Sequence, residues 1–264
     1  MTPASLIITT YNRPDALHLV LLSVAQQHTL PQEVIIADDG SGEETRTLIE
    51  QHQQNFPTTL RHVWQEDKGF RAARGRNLAT AASNYPYLIF LDGDMILHPE
   101  FVRSHINKAK KNQWIQGSRV LLSEKTSLWA MQHEQYEFSF WQKGITNRLN
   151  SLHAPILSPI FSYYNNNPFK VRSANMSCWK DDLVKVNGFN ENFVGWGRED
   201  SELALRLYRA GIRRLHLKFA AVGYHLFHPE NPSKVGLAQN DLIYQQTEKS
   251  GTFFCENGLQ KHLP

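Results

Sequence analysis

The sequence contains few of the features that mark secreted, fibrous or membrane-spanning proteins. It has only two cysteines in 264 residues, Cys178 and Cys255, which form no CxxC pair and predict a reducing compartment. No apolar run approaches the roughly 20 residues of a membrane helix. Residues 1–5 lack the basic and apolar regions that open a signal peptide, so none is expected. The 15 glycines and 12 prolines are too few for a collagen-like or linker-like protein.

An excess of either charge is also missing. The 28 basic and 25 acidic residues leave a formal charge of +3, and the sequence pI is near 8.8. This mild balance offers little support for nucleic-acid binding, and none is expected. With 41% hydrophobic and 20% charged residues, the chain suits one large domain, or two small ones around a shared site.

Apolar strands alternate with helical segments through the first half. Strands are predicted at 6–9, 34–37, 60–64, 87–91 and 114–122, and helices after Asn12 and at 43–54, 71–82 and 99–111. Asn12 is a candidate cap for the first helix, and Pro14 suits its first turn. The alternation predicts an α/β fold with a Rossmann-like, mostly parallel sheet flanked by helices. Ligands of such sheets bind beyond the carboxyl ends of the strands.

The chain divides into three sections of one continuous domain: 1–122, 123–171 and 172–264. The middle section is rich in aromatic residues and asparagine, without a clear period. It is a candidate for substrate contacts or a mobile lid, and ordinary packing on the sheet explains it equally well. The last section predicts strands at 172–177 and 215–224 and a helix at 199–210, with no strong signal after Pro229.

Asp92-Gly93-Asp94 directly follows a predicted buried strand. Two carboxylates one residue apart can hold a divalent cation, which in turn can neutralise a diphosphate. Glycine between them lets a ligand approach the backbone closely. An exposed Asp-Gly turn is the simpler alternative.

His225 and His228 follow the strand predicted at 215–224. Two imidazoles three residues apart can face one Mn²⁺ or a similar ion. The alternative is one buried and one exposed histidine without a ligand.

Gly195-Trp196-Gly197-Arg198-Glu199-Asp200 places two acids at the start of a predicted helix. One acid would serve as a general base beside a flat tryptophan surface that receives a sugar ring. Stabilisation of the helix N-terminus alone would also explain the acids. A basic stretch at 68–77 suits phosphate, or forms a solvated helix face.

Together these motifs resemble an inverting glycosyltransferase of family 2 with the GT-A fold. The resemblance rests on Thr9 to Pro14, Asp38-Asp39-Gly40-Ser41, Gly69 with Ala73 to Asn77, and Asp92-Gly93-Asp94. The second half resembles the galactosyltransferase-type C-terminal region of β-1,4-galactosyltransferases and of bacterial enzymes of the chondroitin-polymerase type. That part rests on Asn175-Met176, Gly188-Phe189, the block from Gly195 to Asp200, Arg206-Leu207, Gly211, and His225 to His228. The resemblance covers roughly residues 5–228.

The resemblance implies a role for each matching residue. Thr9, Tyr11 and Asp39 would hold the uracil and ribose of a UDP-sugar, and Arg71 or Arg76 would lie along the nucleotide. The remaining residues of the nucleotide-sugar site would be Asn12, Arg13, Asp92, Gly93, Asn175 and Trp196. Asp92 would contact the ribose or the water shell of the metal. The metal, Mn²⁺ or Mg²⁺, would bind Asp94 and His228, with His225 joining them. Glu199 would hold an acceptor hydroxyl, and Asp200 would act as the base.

The implied activity is transfer of a hexose or N-acetylhexosamine from a UDP-sugar to a glycan or lipid-linked glycan acceptor. The implied setting is bacterial surface polysaccharide or lipopolysaccharide synthesis by a cytoplasmic enzyme, with peripheral association at the inner face of the membrane. The sequence departs from the galactosyltransferases at Arg198, where they have glycine, and at Ser201, where they have an acid. Arg198 would favour an anionic acceptor or point to solvent.

Three other functions fit parts of the pattern. A haloacid-dehalogenase-type phosphatase also has Asp-x-Asp after a strand, but Thr or Val normally follows, and here Met95-Ile96 does. A nucleotidyltransferase would need a glycine-rich basic loop after the first strand. A catalytically inactive nucleotide- or glycan-binding module would have lost a metal or base residue, and Asp92, Asp94, Asp200 and His228 are all present.

Overall fold

The computed structural model of the protein describes residues 2–169, 171–229 and 236–264. The strands are β1 Ala4–Thr10, β2 Glu33–Asp38, β3 Thr59–Trp64, β4 Tyr87–Asp92, β5 Met95–Leu97, β6 Gln113–Gln116, β7 Ser118–Leu121, β8 Tyr163–Tyr164, β9 Asn175–Trp179, β10 Arg213–His216 and β11 Val222–His225. The helices are α1 Pro14–Ala25, α2 Glu43–Gln53, α3 Ala72–Ala82, α4 Phe101–Asn107, α5 Glu124–Gln132, α6 Ser158–Phe161, α7 Lys180–Val186, α8 Glu199–Arg209 and α9 Leu237–Ser250. Short 3₁₀ turns lie at Arg148–Ser151 and Leu259–His262.

The main sheet has eight strands in the order β3-β2-β1-β4-β9-β6-β10-β8. β1 runs parallel to β2 and β4, and β10 runs parallel to β6. β9 lies antiparallel between β4 and β6, and β8 is antiparallel to β10. The predicted α/β class with a mostly parallel sheet is therefore confirmed.

A second sheet of three strands, β5-β11-β7, lies beyond the carboxyl ends of the main strands. Two predicted strands are therefore wrong, because each divides into two strands that belong to different sheets. Segment 114–122 divides into β6 and β7, and segment 215–224 into β10 and β11. Gly117 lies at the first break, where a side chain would collide with the amide of Asn175. At the second break Phe219 and Ala221 have positive φ angles of 57° and 49°, which turn the chain sharply.

Helices cover both faces of the main sheet because its central strands are apolar on both sides. In β1, Leu6 and Ile8 pack with α1, α2 and α4, whereas Ile7 faces α3, α7 and α8. This alternation follows from the two-residue period of a strand, and both helix layers bury their apolar faces on it.

The helix bounds differ from prediction at three places. Pro14 is the first residue of α1 as expected, but Asn12 is not its cap. α4 is shorter than the predicted 99–111. α9 lies in the tail for which the sequence predicted no element, and residues 230–235 of that tail lie outside the described residues.

Candidate active site

The Asp92-Gly93-Asp94 turn is held against the end of β1. Strands β1 and β4 run parallel with Thr9 opposite Asp92, and the Gly93 N–H donates to the Thr9 carbonyl at 2.7 Å. A Cβ at Gly93 would lie 3.0 Å from that carbonyl oxygen and 3.1 Å from the Thr10 hydroxyl. Glycine therefore permits this close approach, which positions both carboxylates at the carboxyl edge of the sheet.

Asp94, His225 and His228 come together beside this turn. Asp94 Oδ2 lies 3.5 Å from His225 Nε2 and 3.4 Å from His228 Nε2, and one ligand atom from each residue falls within 4.8 Å of the others. The antiparallel pairing of His225 with Met95 holds the histidines next to Asp94, as does the Leu226 N–H, which donates to the Asp94 carbonyl at 2.9 Å.

This group fits a divalent cation. Asp94 Oδ1 is buried without a hydrogen-bond partner, so a positive ligand would satisfy an atom that the protein leaves unpaired. Burial, with a contribution from Arg119, lowers the pKa of His225 to about 4, which keeps its imidazole neutral at neutral pH. A carboxylate with two imidazoles is a donor set that suits Mn²⁺ and similar ions.

Asp92 faces a different partner. Its Oδ1 lies 3.2 Å from Nη2 of Arg76, and Arg76 Nη1 lies 3.9 Å from Glu199 Oε1. Arg76 is only 4% exposed and stacks 5.4 Å from the ring centroid of Phe189. Arg76 is therefore an internal counter-ion joining two acids, and its side chain does not reach the open surface along which a nucleotide would lie.

Glu199 and Asp200 are the first residues of α8. Asp200 Oδ2 accepts a hydrogen bond of 2.9 Å from the Ser173 N–H, while its Oδ1 is buried without a partner. Burial raises the pKa of Glu199 to about 7, with repulsion from Asp200 adding to the rise and Arg76 opposing it. The start of α8 thus holds Glu199, which can accept or release a proton near neutral pH, next to a second carboxylate.

Trp196 lies on a loop just before these acids. Gly195 and Gly197 flank it with φ angles of 80° and 98°, and the indole is 51% exposed. Asn240, which the sequence reasoning missed, donates from Nδ2 to three carbonyls of this loop. They belong to Val194, Trp196 and Gly197, at 3.2, 3.4 and 3.0 Å. The first turns of α9 therefore support the tryptophan.

Arg198 neither faces an acceptor site nor points freely to solvent. Its Nε is hydrogen-bonded to Asp241 Oδ1 on α9, and its guanidinium lies 5.8 Å from the ring centroid of Phe169. Asp241 therefore balances its charge, so Arg198 gives no support for an anionic acceptor.

The nucleotide end of the predicted site lies at the ends of β1 and β2. Asp39 is 2% exposed, and its Oδ2 accepts from the backbone N–H of Arg71 at 2.7 Å. Its Oδ1 accepts from the Gln65 amide. Burial raises the pKa of the Asp39 carboxyl, although these two hydrogen bonds lower it. Tyr11 is 45% exposed and donates from its hydroxyl to Asp67 at 2.9 Å. The Thr9 hydroxyl is buried without a partner.

The neighbouring polar side chains organise this end. Asn12, at a φ of 45°, accepts at Oδ1 from the Gly42 N–H at 2.9 Å, so it holds a loop instead of capping α1. The Arg13 guanidinium is paired with Asp15 at 3.2 Å, and the Arg71 guanidinium donates to the Glu66 carbonyl.

Asn175 was predicted to lie in the nucleotide-sugar site, but its side chain is turned into the protein. It is 2% exposed, its Nδ2 donates to the carbonyls of Ser118 and Ala221, and its Oδ1 bonds His105. Because these bonds use its polar atoms inside the protein, its side chain braces the two sheets and does not bind substrate.

Arg119 and Arg172 are charged neighbours that the sequence reasoning missed. In the small sheet Arg119 pairs with Gly223 while Leu121 pairs with His225, so Arg119 and His225 share one face. The positive charges of Arg119 and Arg172 both help to lower the pKa of His225. Burial lowers the pKa of Arg119, and the negative charges of Asp92 and Asp94 partly offset that effect. No sequence motif contains Arg119, since only the register of β7 and β11 brings it to the site.

Family models match most of the chain. One described as "Glycosyl transferase family 2" matches residues 5–172, and one described as "N-terminal domain of galactosyltransferase" matches residues 160–229. Among curated proteins, a chondroitin synthase of Escherichia coli is 28% identical over 98% of this chain. The chain spans 41% of the length of that synthase.

Solved structures show the same fold. TarS of S. aureus, residues 1–349 in complex with UDP, superposes with a TM-score of 0.62, 16% identity and coverage of 99% of this chain and 68% of that one. Mannosyltransferase PcManGT from Pyrobaculum calidifontis, in complex with GDP-Man and Mn²⁺, superposes with a TM-score of 0.61 and 16% identity. The match covers 95% of this chain and 65% of that one. These likenesses confirm the expected GT-A fold.

Proposed function

Because the chain belongs to glycosyltransferase family 2, we propose that it transfers a hexose or N-acetylhexosamine from a UDP-sugar with inversion. The acceptor is a glycan or lipid-linked glycan of a bacterial surface polysaccharide. The observation that carries this proposal is the adjacency of the Asp94, His225 and His228 group to the acids of α8. Arg76 links the Asp92-Gly93-Asp94 turn to α8, with Asp92 at 3.2 Å on one side and Glu199 at 3.9 Å on the other.

Asp200 is the proposed base. Its unpaired Oδ1 takes the proton of the acceptor hydroxyl, and the oxygen forms a bond to the anomeric carbon of the donor. The bond from that carbon to the UDP oxygen breaks on the opposite face, so an α-linked donor yields a β-linked product. Glu199 holds the acceptor hydroxyl in place. Base assistance of this kind contributes about 10²- to 10⁴-fold to the rate.

A divalent ion bound by Asp94, His225 and His228 would supply positive charge beside the diphosphate. Mn²⁺ or Mg²⁺ fits these ligands, and Arg119 adds a fixed cation on the face of the small sheet that carries His225. The position of Asp92 next to Arg76 suits a ribose contact better than direct ligation.

The donor site takes in the ends of β1 and β2 and the Trp196 loop. Thr9, Tyr11 and Asp39 face the uracil and ribose, Trp196 offers a flat surface to a sugar ring, and Gly93 lets the donor approach the backbone. Asn12, Arg13 and Arg71 shape this end through their loop contacts. Residues 1–122 would thus bind the donor, and 172–264 would supply the acceptor side.

The alternative functions lack comparable support. A phosphatase would need Asp92 as a free nucleophile, yet that carboxylate is paired with Arg76. An inactive binding module would not need an unpaired Asp200 oxygen beside an acid whose pKa is about 7.

The proposed location is the cytoplasm, with peripheral association at the inner face of the membrane. Both cysteines are buried free thiols, which fits a reducing compartment. Within residues 2–169, 171–229 and 236–264, no helix combines the length and apolar character that crossing a bilayer demands. The proposal therefore requires an acceptor that is reached from the membrane surface.

The testing experiment measures UDP release from a panel of UDP-sugars, with Mn²⁺, with Mg²⁺ and with EDTA. Hydrolysis of one donor that depends on the metal supports the proposal and identifies the donor. If no donor is hydrolysed, calorimetric titration of UDP with Mn²⁺ decides the matter, because absence of binding there contradicts a UDP-sugar donor.

Metal ligation is tested on single variants. Asp94→Asn is expected to abolish Mn²⁺-dependent UDP binding, since it removes the negative charge that faces both histidines. Asp181→Asn on α7, an exposed acid outside the candidate site, serves as its control. His225→Ala and His228→Ala measured separately show which imidazole binds. Unchanged Mn²⁺ affinity in all three would reject this group as the metal site.

A further inference from the structure

An apolar ledge projects from the middle section of the chain. Its side chains are Ile156, Leu157, Ile160 and Phe161, which are 87%, 40%, 74% and 52% exposed. Exposed apolar residues gathered in one short segment differ from the scattered ones that every protein surface carries. Such a group indicates a contact with an apolar partner.

The ledge has a defined backbone. The Leu157 carbonyl accepts from the N–H groups of Ile160 and Phe161 at 3.0 and 3.2 Å. The Ala154 N–H donates to the Phe219 carbonyl at 2.9 Å, and the rings of Phe161 and Phe219 meet edge to face at 5.1 Å. Ile156 and Ile160 are therefore exposed on a segment whose two ends, Ala154 and Phe161, both contact Phe219.

The two chain segments that form and support the ledge contain cations and no acids, although the charge of Glu100, the residue before α4, acts on His153 just before the ledge. The sequence has no Asp or Glu between residues 138 and 180, nor between 203 and 229. Lys218 adjoins the ledge, since its N–H donates to Ser162 Oγ at 3.0 Å, and Arg213 lies 4.0 Å from the ring centroid of Tyr164. Apolar side chains rimmed by cations complement the interface of an anionic bilayer.

A second copy of this chain fits the ledge less well. A two-fold contact places the same patch of each copy against the other, so Lys218 would approach its own equivalent. These segments contain no acid of their own that would neutralise that repulsion.

The ledge lies on the side of the molecule where the candidate site opens. Lys218 and Phe219 follow the carboxyl end of β10, and Asp92 closes β4, which runs in the same direction. Three strand spacings separate β4 from β10, or about 14 Å. A bilayer against the ledge would therefore lie beside the acceptor side of the site.

We propose that the ledge docks the protein on an anionic lipid surface, with Ile156, Ile160 and Phe161 entering the interface and Lys218 facing the headgroups. This docking proposal extends the proposed function, and it rests on the proposal that the acceptor is linked to lipid. The docking itself requires no turnover.

Vesicle flotation tests the docking with the full chain. The wild type is expected to bind vesicles of phosphatidylcholine mixed with phosphatidylglycerol more strongly than phosphatidylcholine alone. I156S/I160S is expected to lose about tenfold or more in affinity. K218E is expected to lose about fivefold to thirtyfold on the anionic vesicles only. Val184→Ser, a comparable change on exposed α7, is the control and should bind like the wild type.

Three results would overturn the docking surface. They are absence of vesicle binding by the wild type, equal binding by I156S/I160S, and a wild-type dimer in sedimentation velocity that I156S/I160S abolishes. Metal-dependent hydrolysis of the UDP-sugar in solution, measured on the same variants, should be unchanged. If vesicle binding follows the ledge while no UDP-sugar is bound or hydrolysed, the proposed function fails and the docking surface stands.

Discussion

Asp200 has two carboxylate oxygens in different surroundings. Oδ2 is fixed by the Ser173 N–H at 2.9 Å, and this bond orients the carboxylate. Oδ1 is buried with no protein partner, so a substrate hydroxyl there would satisfy it. This division between an orienting and a reacting oxygen suits a base.

Replacing Asp200 tests that role. Asp200→Asn is expected to keep UDP and Mn²⁺ binding and to lower transfer about 10²- to 10⁴-fold, because an amide cannot accept the proton. The measurement compares kcat for transfer with the calorimetric affinity for UDP. Asp181→Asn, an exposed acid in the first turn of α7, is the matched control. Transfer near the wild-type rate would move the base role elsewhere, with Glu199→Gln as the next variant.

Arg76 shows how one buried cation can shape a site that it does not enter. Its guanidinium faces Asp92 and Glu199, and it lies over the ring of Phe189. Without this cation the carboxylates of Asp92 and Glu199 would repel each other. Arg76 is therefore expected to position carboxylates and not to bind the nucleotide.

Among the helices, α8 carries the acids and is anchored more firmly than a surface helix. The Glu202 carboxylate and the Arg206 guanidinium form a fully buried pair at 2.7 Å, one turn apart. Arg206 also donates to the carbonyls of Val186 and Gly188, and Thr247 of α9 donates to Glu202. These bonds fix α8 against α7 and α9, and therefore fix the direction of its first residues.

Helix α9 is expected to act on the donor sugar through Asn240 and the Trp196 loop. Asn240→Asp replaces a hydrogen-bond donor by an acceptor facing three carbonyls, so the Trp196 loop should be released. The expected result is a fall of about tenfold to a hundredfold in kcat/KM for the UDP-sugar, with binding of UDP itself and of Mn²⁺ unchanged.

The matched control is Gln239→Glu, the same amide-to-acid change on the exposed side of α9. Thermal unfolding shows whether each variant keeps its fold. Wild-type kinetics with the UDP-sugar in a folded Asn240→Asp protein would remove Asn240 from any positioning role.

At the scale of the molecule, the C-terminal segment ties the two halves together. Leu259 is fully buried among residues of α3 and α7, and its N–H donates to the Asn187 carbonyl at 2.8 Å. The Glu191 side chain is only 3% exposed. Its carboxylate lies 2.7 Å from both Lys261 Nζ and His262 Nε2, and it accepts a hydrogen bond of 2.9 Å from the Asn77 amide. The segment therefore completes a core between α3 and the turn at Gly188.

Leu259→Ala is expected to lower the free energy of unfolding by about 2–5 kcal/mol, because it leaves a cavity in that core. The midpoint of thermal unfolding should fall by about 5–15 °C. Gln260→Ala, at the next and exposed position, is the control. A midpoint equal to that of the wild type would mean that the segment contributes nothing to the core.

Much of the fold could be predicted because its signals are local. The apolar runs of β1, β2 and β4 and the helical spacing in α1 each lie within a dozen residues, and they suffice for an α/β sheet. The broken strands could not be predicted this way. β6 with β7, and β10 with β11, are near-continuous in sequence, and only packing of a second sheet on Asn175 requires the breaks.

For the site, the sequence alone determined which chemical groups are present and roughly where the strands end. Asp92-Gly93-Asp94 was predicted because ligands bind where parallel strands end, and the acids of α8 because they open a helix beside Trp196. The tertiary structure decided their partners: Asp94 lies with both histidines, Asp92 faces Arg76, and Asn175 is turned inward. It also brought Arg119 and Asn240 to the site. The physical reason is that these contacts depend on strand register and helix packing between distant segments, which no local pattern encodes.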